Sequence, residues 1–431
     1  MQIELPISKS IANRWLMLQA IHGDELMPVS NSMPDDVQIL YRALSLIQAN
    51  LVPRRLQGVD CERNVVENKV VDVVDLKLDL GNCGTAMRFL TAYCAQLEGQ
   101  TVILDGVERM HHRPIGQLVD ALREIGADIE YLGEEGFPPL RIKGRILDKH
   151  RIVTINNPQS TQFVSALLLI GANVQTDSTS PYITLTREMI KNKEQGTKNK
   201  DKLLTTDQTQ VTNLGSLVLA PYSEIERDWS SAAFWYEYVA LHGGEITLPG
   251  LYRDSLQGDK VVADIFTHLG VHTIYTDEGI TIKKDNEFLI QQHKQLNPTT
   301  LSGNQLHAAH GAKANNPCRS RELIRAEVVD IVVDNTLSLD FSACPDLYPA
   351  VALTCERLGV ELHATGVDSL PLKESDRLRA VREHRTDADH RMAMALLIAG
   401  YEVDDTACIS KSYPQFLKHF HQLQESNCSN L

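Results

Sequence analysis

The stretch Gly99–Gly144, GQTVILDGVERMHHRPIGQLVDALREIGADIEYLGEEGFPPLRIKG, contains the pattern that decides the fold. It predicts, in order, a strand, a turn, an amphipathic helix ending at a glycine, and two strands joined by a turn. The stretch Gly243–Lys284 predicts the same order, and a third copy that starts at Gly359 stops after its helix. Such repeats predict an α/β protein built by duplication, with copies in two domains of similar design.

Length and composition agree with this organisation. The 431 residues exceed what one hydrophobic core usually holds, so two domains are expected. Hydrophobic residues make up 43% and charged residues 23%, which is ordinary for a globular protein. A net charge of −14 argues against general nucleic-acid binding. If the ligands are anionic, the basic residues must be concentrated in one cleft.

Cysteine spacing and hydropathy indicate the compartment. The eight cysteines show neither Cys-x-x-Cys nor mixed Cys/His spacing, which predicts free thiols, a reducing compartment and no metal site. The N-terminal MQIELPISKS lacks the apolar region of a signal peptide. The longest apolar runs, Phe163–Val174 and Met392–Tyr401, are too short to cross a bilayer. We therefore expect a cytoplasmic protein that does not associate with membranes.

A strand-to-helix turn precedes the first repeat. The sequence Gly81–Leu90, GNCGTAMRFL, follows a predicted strand (Val71–Leu80) and leads into an apolar helix (Met87–Leu97). Free N–H groups and the positive end of a helix dipole at such a turn favour an anion, with Arg88 beside it. A tight turn in which only glycine fits is the alternative interpretation.

Two further predicted helix starts carry the same ambiguity. Lys9, Ser10 and Arg14 open a helix that extends to Ala20, and Ser160-Thr161-Gln162 precedes an apolar helix, Phe163–Gly171. Both clusters suit an anion, but both also suit an ordinary capped helix with solvated charges.

The remaining segments give simpler predictions. Met1–Pro6 and Pro181–Thr186 are predicted to be strands. The polar stretches Lys191–Gln210 and Gln291–Arg321 are predicted to be flexible loops.

The last third of the chain has the highest density of candidate chemical groups. Asp346 precedes a predicted helix, Leu347–Leu358, and Lys373 is predicted to open another helix that places it on one face with Arg377. Two cations at this spacing repel each other unless an anion lies between them. Across the chain, cations at predicted helix starts would bind a ligand with several negative charges if they converge, and three titratable groups would then serve proton transfer: Asp346, Glu374 and His390.

Eight motifs together resemble one known family. SKSIANR, GNCGTAMRFL, ERMHHRPI, NPQSTQF, ACPDLYPA, KESDRL, DHRMAM and KSYP occur in the order found in the 5-enolpyruvylshikimate-3-phosphate synthases. The resemblance implies two similar domains of repeated βαβαββ units, an inside-out α/β barrel, with the active site in the cleft between them. It implies a first domain of residues 1–7 and 227–431 and a second of residues 8–226.

The resemblance also implies a reaction. The 5-hydroxyl of shikimate 3-phosphate attacks C2 of phosphoenolpyruvate while C3 is protonated, and phosphate is then lost. The implied partners are these two substrates alone, with no metal or organic cofactor, and the implied state is a monomer. The implied catalytic residues are Asp346, Glu374, Lys9 and His390. Asp346 is expected to be the base on the hydroxyl and Glu374 to move the proton at C3, although these two roles could be exchanged.

The family's binding residues map onto this chain one by one. Shikimate 3-phosphate is implied to contact Lys9, Ser10, Arg14, Ser160, Thr161, Gln162, Tyr182, Asp346 and Lys373. Phosphoenolpyruvate is implied to contact Lys9, Asn82, Gly84, Arg113, Gln162, Arg377, Arg391 and Lys411. Glycine at position 84 implies sensitivity to the phosphoenolpyruvate analogue glyphosate.

The chain departs from the family pattern in four places. Thr184–Gly215 and Gln291–Arg325 are polar where the family is regular, and Ser369 replaces an asparagine. Only Leu378–Asp389 joins KESDRL to DHRMAM, where the family has a further strand pair, so one C-terminal repeat unit is apparently truncated. A catalytically impaired relative that still binds shikimate 3-phosphate is therefore an alternative to the active enzyme.

Two other readings remain. A UDP-amino-sugar enolpyruvyl transferase is disfavoured, because that family has a reactive cysteine in the loop corresponding to Val107–Arg113 and this chain has none there. A binding module without activity would leave Asp346 and Glu374 unexplained.

Overall fold

The computed structural model of the protein describes residues 1–56, 75–203, 225–285 and 335–428. Helices and strands mix throughout, which confirms the α/β class. The helices are α1 (Lys9–His22), α2 (Asp35–Leu56), α3 (Gly84–Ala95), α4 (Gly116–Glu124), α5 (Thr161–Leu169), α6 (Pro181–Leu203), α7 (Trp229–His242), α8 (Val262–Thr267), α9 (Tyr348–Leu358), α10 (Arg377–Glu383), α11 (His390–Ile398) and α12 (Phe416–Cys428).

The strands are short, and several lie in antiparallel pairs. They are β1 (Leu76–Asp79), β2 (Thr101–Asp105), β3 (Asp128–Tyr131), β4 (Leu140–Lys143), β5 (Ile152–Thr154), β6 (Asn173–Gln175), β7 (Glu245–Pro249), β8 (Val271–Tyr275), β9 (Gly279–Lys284), β10 (Thr336–Asp340) and β11 (Glu361–Thr365).

One complete repeat unit occupies the segment from β1 to β4. Its four-stranded sheet has the order β1-β2-β4-β3, with β1 parallel to β2 and β4 antiparallel to both of its neighbours. Because α3 follows β1 and α4 follows β2, the segment reads β-α-β-α-β-β. The elements predicted from Gly99–Gly144 are therefore present in their predicted order.

A second unit combines the N-terminus with residues far along the chain. Strands β7, β9 and β8 form an antiparallel sheet, and Gln2 forms a parallel bridge to Thr247 of β7. The amide of Ile3 donates to the carbonyl of Thr247 at 2.9 Å. Met1–Pro6, predicted as a strand, thus forms one isolated bridge rather than a continuous strand. It lies beside β7 as β1 lies beside β2.

Two partial units complete the described chain. Strands β5 and β6 form a parallel pair connected by α5, and β10 and β11 form a parallel pair connected by α9. After β11 and α10, residues 384–389 lead directly to α11 without an intervening strand. In the described chain, α10 is therefore followed by α11 with no strand pair between them.

The prediction of a strand at Pro181–Thr186 is wrong. These residues form the first turns of α6, with proline at its first position, where the missing N–H is not needed. The β-branched residues of this stretch suggested a strand, but the buried side chains Leu185, Met189 and Lys193 follow helical spacing. Helix α6 continues to Leu203, so the loop predicted from Lys191 is also wrong up to that residue. The remainder of that loop, the whole of Gln291–Arg325 and residues 71–74 of the first predicted strand lie outside the described residues.

Buried apolar side chains form two clusters. The first comprises Ile7 and residues between Ile11 and Met189, and the second comprises Ile3, Leu5 and residues between Trp229 and Leu423. The chain passes between them at two adjacent points, where the amide of Ser8 donates to the carbonyl of Glu226 at 2.8 Å and the amide of Asp228 donates to that of Pro6 at 3.0 Å.

Three further observations concern the described residues only. No helix among them is both long and apolar enough to cross a bilayer. No group of three or more histidine, cysteine and acidic side chains in these ranges is arranged to hold a metal ion. The cysteines at positions 83, 94, 344, 355 and 408 are free thiols.

Candidate active site

Two carboxylates share one arginine at the centre of the site. Arg377, whose side chain is 1% exposed, donates from Nη1 to Oδ1 of Asp346 at 2.8 Å and from Nη2 to Oε2 of Glu374 at 3.1 Å. Lys373 reaches Asp346 Oδ1 at 3.3 Å, and Arg391 Nη2 donates to Asp346 Oδ2 at 3.0 Å. This geometry brings together five residues from three segments of the chain, at positions 346, 373–377 and 391.

Surrounding cations hold both carboxylates ionised. Burial alone would raise the pKa of Asp346, but the charges of Arg391, Lys373 and Arg377 outweigh burial and hold it well below the usual value. Burial likewise opposes ionisation of Glu374, but Lys411, Arg113 and Arg377 hold the pKa of Glu374 well below its usual value. Neither carboxylate is a strong base while the cations remain paired to it.

Lys411 connects the second buried cluster to the turn at residue 82. Its Nζ donates to the backbone carbonyl of Asn82 and to Oε1 of Glu374, both at 2.9 Å. The side-chain Oδ1 of Asn82 is buried and has no hydrogen-bond partner among the described residues. A ligand N–H or O–H could occupy that acceptor.

Lys9 enters the site from the start of α1. The hydroxyl of Ser8 caps this helix by accepting from the amide of Ile11 at 3.4 Å, and Lys9 Nζ lies 3.0 Å from Oδ2 of Asp36. Burial disfavours the ammonium, but the carboxylates of Asp36, Glu374 and Asp346 outweigh it and raise the pKa of Lys9. Lys9 is therefore a fixed cation rather than a neutral amine.

Gly84 faces two guanidinium groups at the start of α3. A Cβ at this position would lie 2.3 Å from Nη1 of Arg88 and 2.6 Å from Nη1 of Arg113. The Nε groups of both arginines are buried and lack a partner in the part of the chain that the structure describes. Burial and the neighbouring Arg113 lower the pKa of Arg88 to about 9. Two crowded, incompletely paired cations make a strong anion site.

The start of α5 contributes polar groups beside these arginines. Ser160 caps the helix by accepting from the amide of Gln162 at 3.3 Å, and Thr161 is the first helical residue. The Gln162 side chain accepts from Arg88 Nη1 at 3.3 Å and donates to Thr85 at 2.8 Å. The serine therefore caps the helix, and the glutamine contacts one of the two arginines beside Gly84.

Tyr182 and Arg14 lie on the side of the site nearer to α6. The Tyr182 hydroxyl donates to Oδ1 of Asp259 at 3.1 Å. Burial and the adjacent Asp346 raise the pKa of Asp259 to about 6. Arg14, next to the partly buried Ser10, donates to the Thr186 hydroxyl at 2.7 Å and to Ser165 at 3.3 Å. Its guanidinium is thus bound to interior groups of the first cluster, and burial lowers the pKa of Arg14 to about 10.

His390 is completely enclosed. Its side chain is 0% exposed, and neither ring nitrogen has a hydrogen-bond partner within the described ranges. Burial, together with the positive charges of Lys9 and Arg391, holds the pKa of His390 well below its usual value. The ring is therefore neutral at physiological pH.

The cations outnumber the carboxylates here although the whole chain carries −14. A family model described as EPSP synthase (3-phosphoshikimate 1-carboxyvinyltransferase) matches residues 1–420. The chain belongs to the EPSP synthase family. This confirms the family recognised from the sequence motifs.

Individual relatives agree with the assignment to the EPSP synthase family. A Bacteroides fragilis protein named 3-phosphoshikimate 1-carboxyvinyltransferase is 33% identical, with 96% of this chain and 93% of that protein covered. A protein of the same name from Colwellia psychrerythraea is 29% identical, with 99% and 97% covered. An EPSP synthase structure from Acinetobacter baumannii aligns with a TM-score of 0.51 at 17% identity and covers 96% of this chain and 94% of its own, which supports the fold.

One predicted helix start is wrong in this site. Helix α10 begins at Arg377 rather than at Lys373, because Asp376 caps it by accepting from the amide of Arg379. Lys373 and Arg377 therefore do not share a helix face; they meet at Asp346 instead. Lys411 is the last residue of a 3-10 helix, Ala407–Lys411.

Sequence reasoning missed four residues that complete the site. Asp389 caps α11 and also accepts from Nε of Arg377 at 2.8 Å, whereas Asp36 and Asp259 pair with Lys9 and Tyr182. Arg109 donates to backbone carbonyls of the segment that carries Lys373 and Glu374. Asp389 is the first residue of the motif DHRMAM, but its long-range partner cannot be inferred from spacing.

Proposed function

We propose that this chain transfers the enolpyruvyl group of phosphoenolpyruvate to the 5-hydroxyl of shikimate 3-phosphate and releases phosphate, as the names of its relatives indicate. The observation that carries the proposal is the sharing of Arg377 by Asp346 and Glu374, within 3.1 Å of each, beside the arginines at Gly84. Paired carboxylates supply proton transfer, and the arginines supply a place for phosphate and carboxylate.

Substrate binding would convert the carboxylates into bases. The phosphate and carboxylate groups of the substrates would take over hydrogen bonds from Lys373, Arg377 and Lys411. Loss of those positive charges would raise the pKa of Asp346 and Glu374 towards the range of a useful base. We assign Asp346 to the hydroxyl proton and Glu374 to the proton at C3, with Lys9 stabilising the charge that develops. The neutral His390 is the fourth proposed catalytic residue.

The reaction is balanced without any other reactant. The hydroxyl oxygen forms a bond to C2 while C3 receives a proton and the hydroxyl loses one. The tetrahedral intermediate then loses one of the three protons now at C3 and expels phosphate, which restores the double bond in the enolpyruvyl ether. We propose no metal and no organic cofactor.

The proposed binding residues divide between the two substrates. Shikimate 3-phosphate would contact Lys9, Ser10, Arg14, Ser160, Thr161, Gln162, Tyr182, Asp346 and Lys373. Phosphoenolpyruvate would contact Lys9, Asn82, Gly84, Arg113, Gln162, Arg377, Arg391 and Lys411. Arg14 would have to exchange its bonds to Thr186 and Ser165 for the substrate, or act by fixing Ser10 beside it, whose carbonyl accepts from Arg14 Nη1 at 2.9 Å.

The same proposal includes the domain arrangement. Residues 1–7 with 227–431 and residues 8–226 would form two domains of inside-out α/β barrel type that close over the substrates. The short linker 384–389 would mark a truncated C-terminal unit. We further propose a cytoplasmic monomer that does not bind nucleic acid or membranes.

One experiment tests the proposed function. Phosphate release by the purified protein is measured with both substrates and with each alone, for the wild type and for Glu374→Gln. Release that requires both substrates and falls at least about a hundredfold in Glu374→Gln is expected. Glu383→Gln, which alters an exposed carboxylate in α10, serves as the control and should retain wild-type activity.

The impaired relative is the second candidate. The direct passage from α10 to α11 favours it, because the linker sets the distance between Arg377 and Arg391. Binding of shikimate 3-phosphate without phosphate release would support this candidate. Turnover of a UDP-amino sugar instead would support the third candidate, a UDP-amino-sugar enolpyruvyl transferase. The absence of a cysteine from the 3-10 helix Glu108–His112 disfavours it.

A further inference from the structure

Arg109 connects the first buried cluster to the segment that carries two site residues. Its Nε donates to the carbonyl of Glu374 at 3.1 Å, and its Nη2 donates to the carbonyls of Lys373 at 2.9 Å and Pro371 at 3.3 Å. One guanidinium thus holds three backbone oxygens of a segment about 260 residues away in sequence. The side chains of Lys373 and Glu374 point instead to Asp346, Arg377 and Lys411.

The segment that receives these bonds has little regular structure of its own. The 3-10 helix Leu370–Leu372 ends before it, and α10 begins only at Arg377. Buried Leu370 and the bond from Ser375 to Asp389 anchor its two ends. Between these anchors, the amide of Lys373 donates to the carbonyl of Leu370 at 3.3 Å, while Arg109 holds the carbonyls of Lys373 and Glu374.

Arg109 itself is held firmly. It belongs to the 3-10 helix Glu108–His112, whose Met110 is 0% exposed in the first cluster. The amide of Val107 donates to the carbonyl of Gly81 at 3.1 Å, so this helix is tied to the turn that precedes Gly84. A displacement of one cluster relative to the other would therefore move Arg109 away from its three acceptors.

We propose that Arg109 is a positioning residue for the reaction. Arg109 fixes the backbone at Lys373 and Glu374. The lysine, which would bind shikimate 3-phosphate, and the carboxylate, which would transfer a proton, therefore reach their working positions only when the two clusters are in contact. This inference rests on the proposed function. In the proposed function Arg109 contacts neither substrate, and it acts through the main chain of Lys373 and Glu374.

Two variants of Arg109 and one matched control test the inference. Arg109→Ala removes all three hydrogen bonds, and Arg109→Lys keeps the charge but loses the planar arrangement of donors. Arg123 is the control, because it also donates to a backbone carbonyl, that of Ile129 at 2.7 Å, within a single cluster. Steady-state kcat, KM for each substrate and the melting temperature are measured for Arg109→Ala, Arg109→Lys and Arg123→Ala.

The inference predicts a loss of turnover without a loss of folding. Arg109→Ala should lower kcat about a hundredfold, because a displacement of the order of 1 Å at a catalytic group has that effect. Arg109→Lys should lower kcat about tenfold, and Arg123→Ala less than about twofold. A kcat within twofold of the wild type in Arg109→Ala, or a loss that merely follows a lower folded fraction, would overturn the inference.

A double-mutant cycle shows whether the effect passes through Glu374. In the Glu374→Gln background, Arg109→Ala should lower the remaining kcat less than about threefold, since the group that Arg109 positions no longer transfers a proton. Full additivity would contradict the inference. A folded wild type without phosphate release would instead overturn the proposed function, so the two failures are distinguishable.

Discussion

Arg377 donates a hydrogen bond of 2.8 Å from Nε to Oδ2 of Asp389, and the two side chains are 1% and 0% exposed. The bond spans the linker between α10 and α11. Asp389 also accepts from the backbone amide of Arg391 at 2.9 Å. This aspartate therefore sets the position of two cations that face Asp346.

Asp389→Asn should keep the helix cap but remove the charge that neutralises Arg377. Because a buried pair that loses one partner costs about 3 kcal/mol, we expect a decrease of that order in the free energy of unfolding, and kcat at least about tenfold lower. Urea unfolding and steady-state kinetics measure both. Asp376→Asn, which alters the cap of α10 at the surface, should change each quantity little; equal effects in the two variants would refute the special role of Asp389.

Gly84→Ala should weaken phosphoenolpyruvate binding. The added methyl would lie 2.3 Å from Arg88 Nη1 and 2.6 Å from Arg113 Nη1, so the guanidinium groups must move. We expect KM for phosphoenolpyruvate to rise about tenfold and glyphosate to inhibit correspondingly less, while the wild type is glyphosate-sensitive. Inhibition assays measure this. In the control Gly116→Ala, the new methyl meets nothing closer than 3.5 Å and should leave both constants unchanged.

Tyr182→Phe should affect shikimate 3-phosphate alone. The substitution removes the hydrogen bond from the Tyr182 hydroxyl to Asp259 and leaves the Asp259 carboxylate with one donor fewer. We expect KM for shikimate 3-phosphate to rise about tenfold, with KM for phosphoenolpyruvate within twofold of wild type. An effect on phosphoenolpyruvate instead would reverse the assignment of the two substrate sides. Tyr131→Phe is the control, because Tyr131 lies in β3, away from the cleft.

His390 should make stability fall as the pH decreases from 7.5 to 5.5. The folded protein keeps this ring neutral, whereas the unfolded chain binds a proton below its usual pKa of 6.5. This proton should lower the free energy of unfolding by about 1 kcal/mol over the interval, so His390→Gln should lose about that much less than the wild type. Asp346 and Glu374, whose pKa values are depressed in the folded protein, also contribute to the free energy of unfolding, and that contribution is lost only at lower pH.

Urea titrations at the two pH values test this prediction. Because wild type and variant share every other titrating group, only the difference between their two pH slopes is informative. His150→Gln, at an exposed position, should keep the wild-type slope. The same slope in His390→Gln as in the wild type would show that the ring takes up its proton over the same pH range in the folded and unfolded states, which would contradict the prediction.

The sequence predicted the elements better than their contacts. The order of elements in both full repeats and the cap at Ser160 followed from glycines at turns and from capping residues, which act locally. The prediction of a strand at Pro181 is wrong because the burial of one helix face against the first cluster outweighs the strand preference of the β-branched residues. The helix predicted at Lys373 failed because Asp376 is the better cap.

Pairings within the site could be anticipated only in part. Motifs identified Asp346, Glu374 and the cations that surround them, since these residue types suit proton transfer and anion binding. The Arg377–Asp389 bond and the contact of Arg109 with the Lys373 carbonyl depend on tertiary packing and on backbone acceptors, which carry no residue signature. The domain boundaries and the individual substrate contacts remain predictions.

The central claim is that the site around Arg377 protonates C3 of phosphoenolpyruvate and transfers the enolpyruvyl group despite the short linker. The most direct test is proton NMR of the reaction in D2O with shikimate 3-phosphate and phosphoenolpyruvate. We predict new vinyl signals of the enolpyruvyl ether, and deuterium at its vinyl carbon, both lost in Glu374→Gln. A folded wild-type protein that binds shikimate 3-phosphate but yields no new vinyl signals would contradict the account.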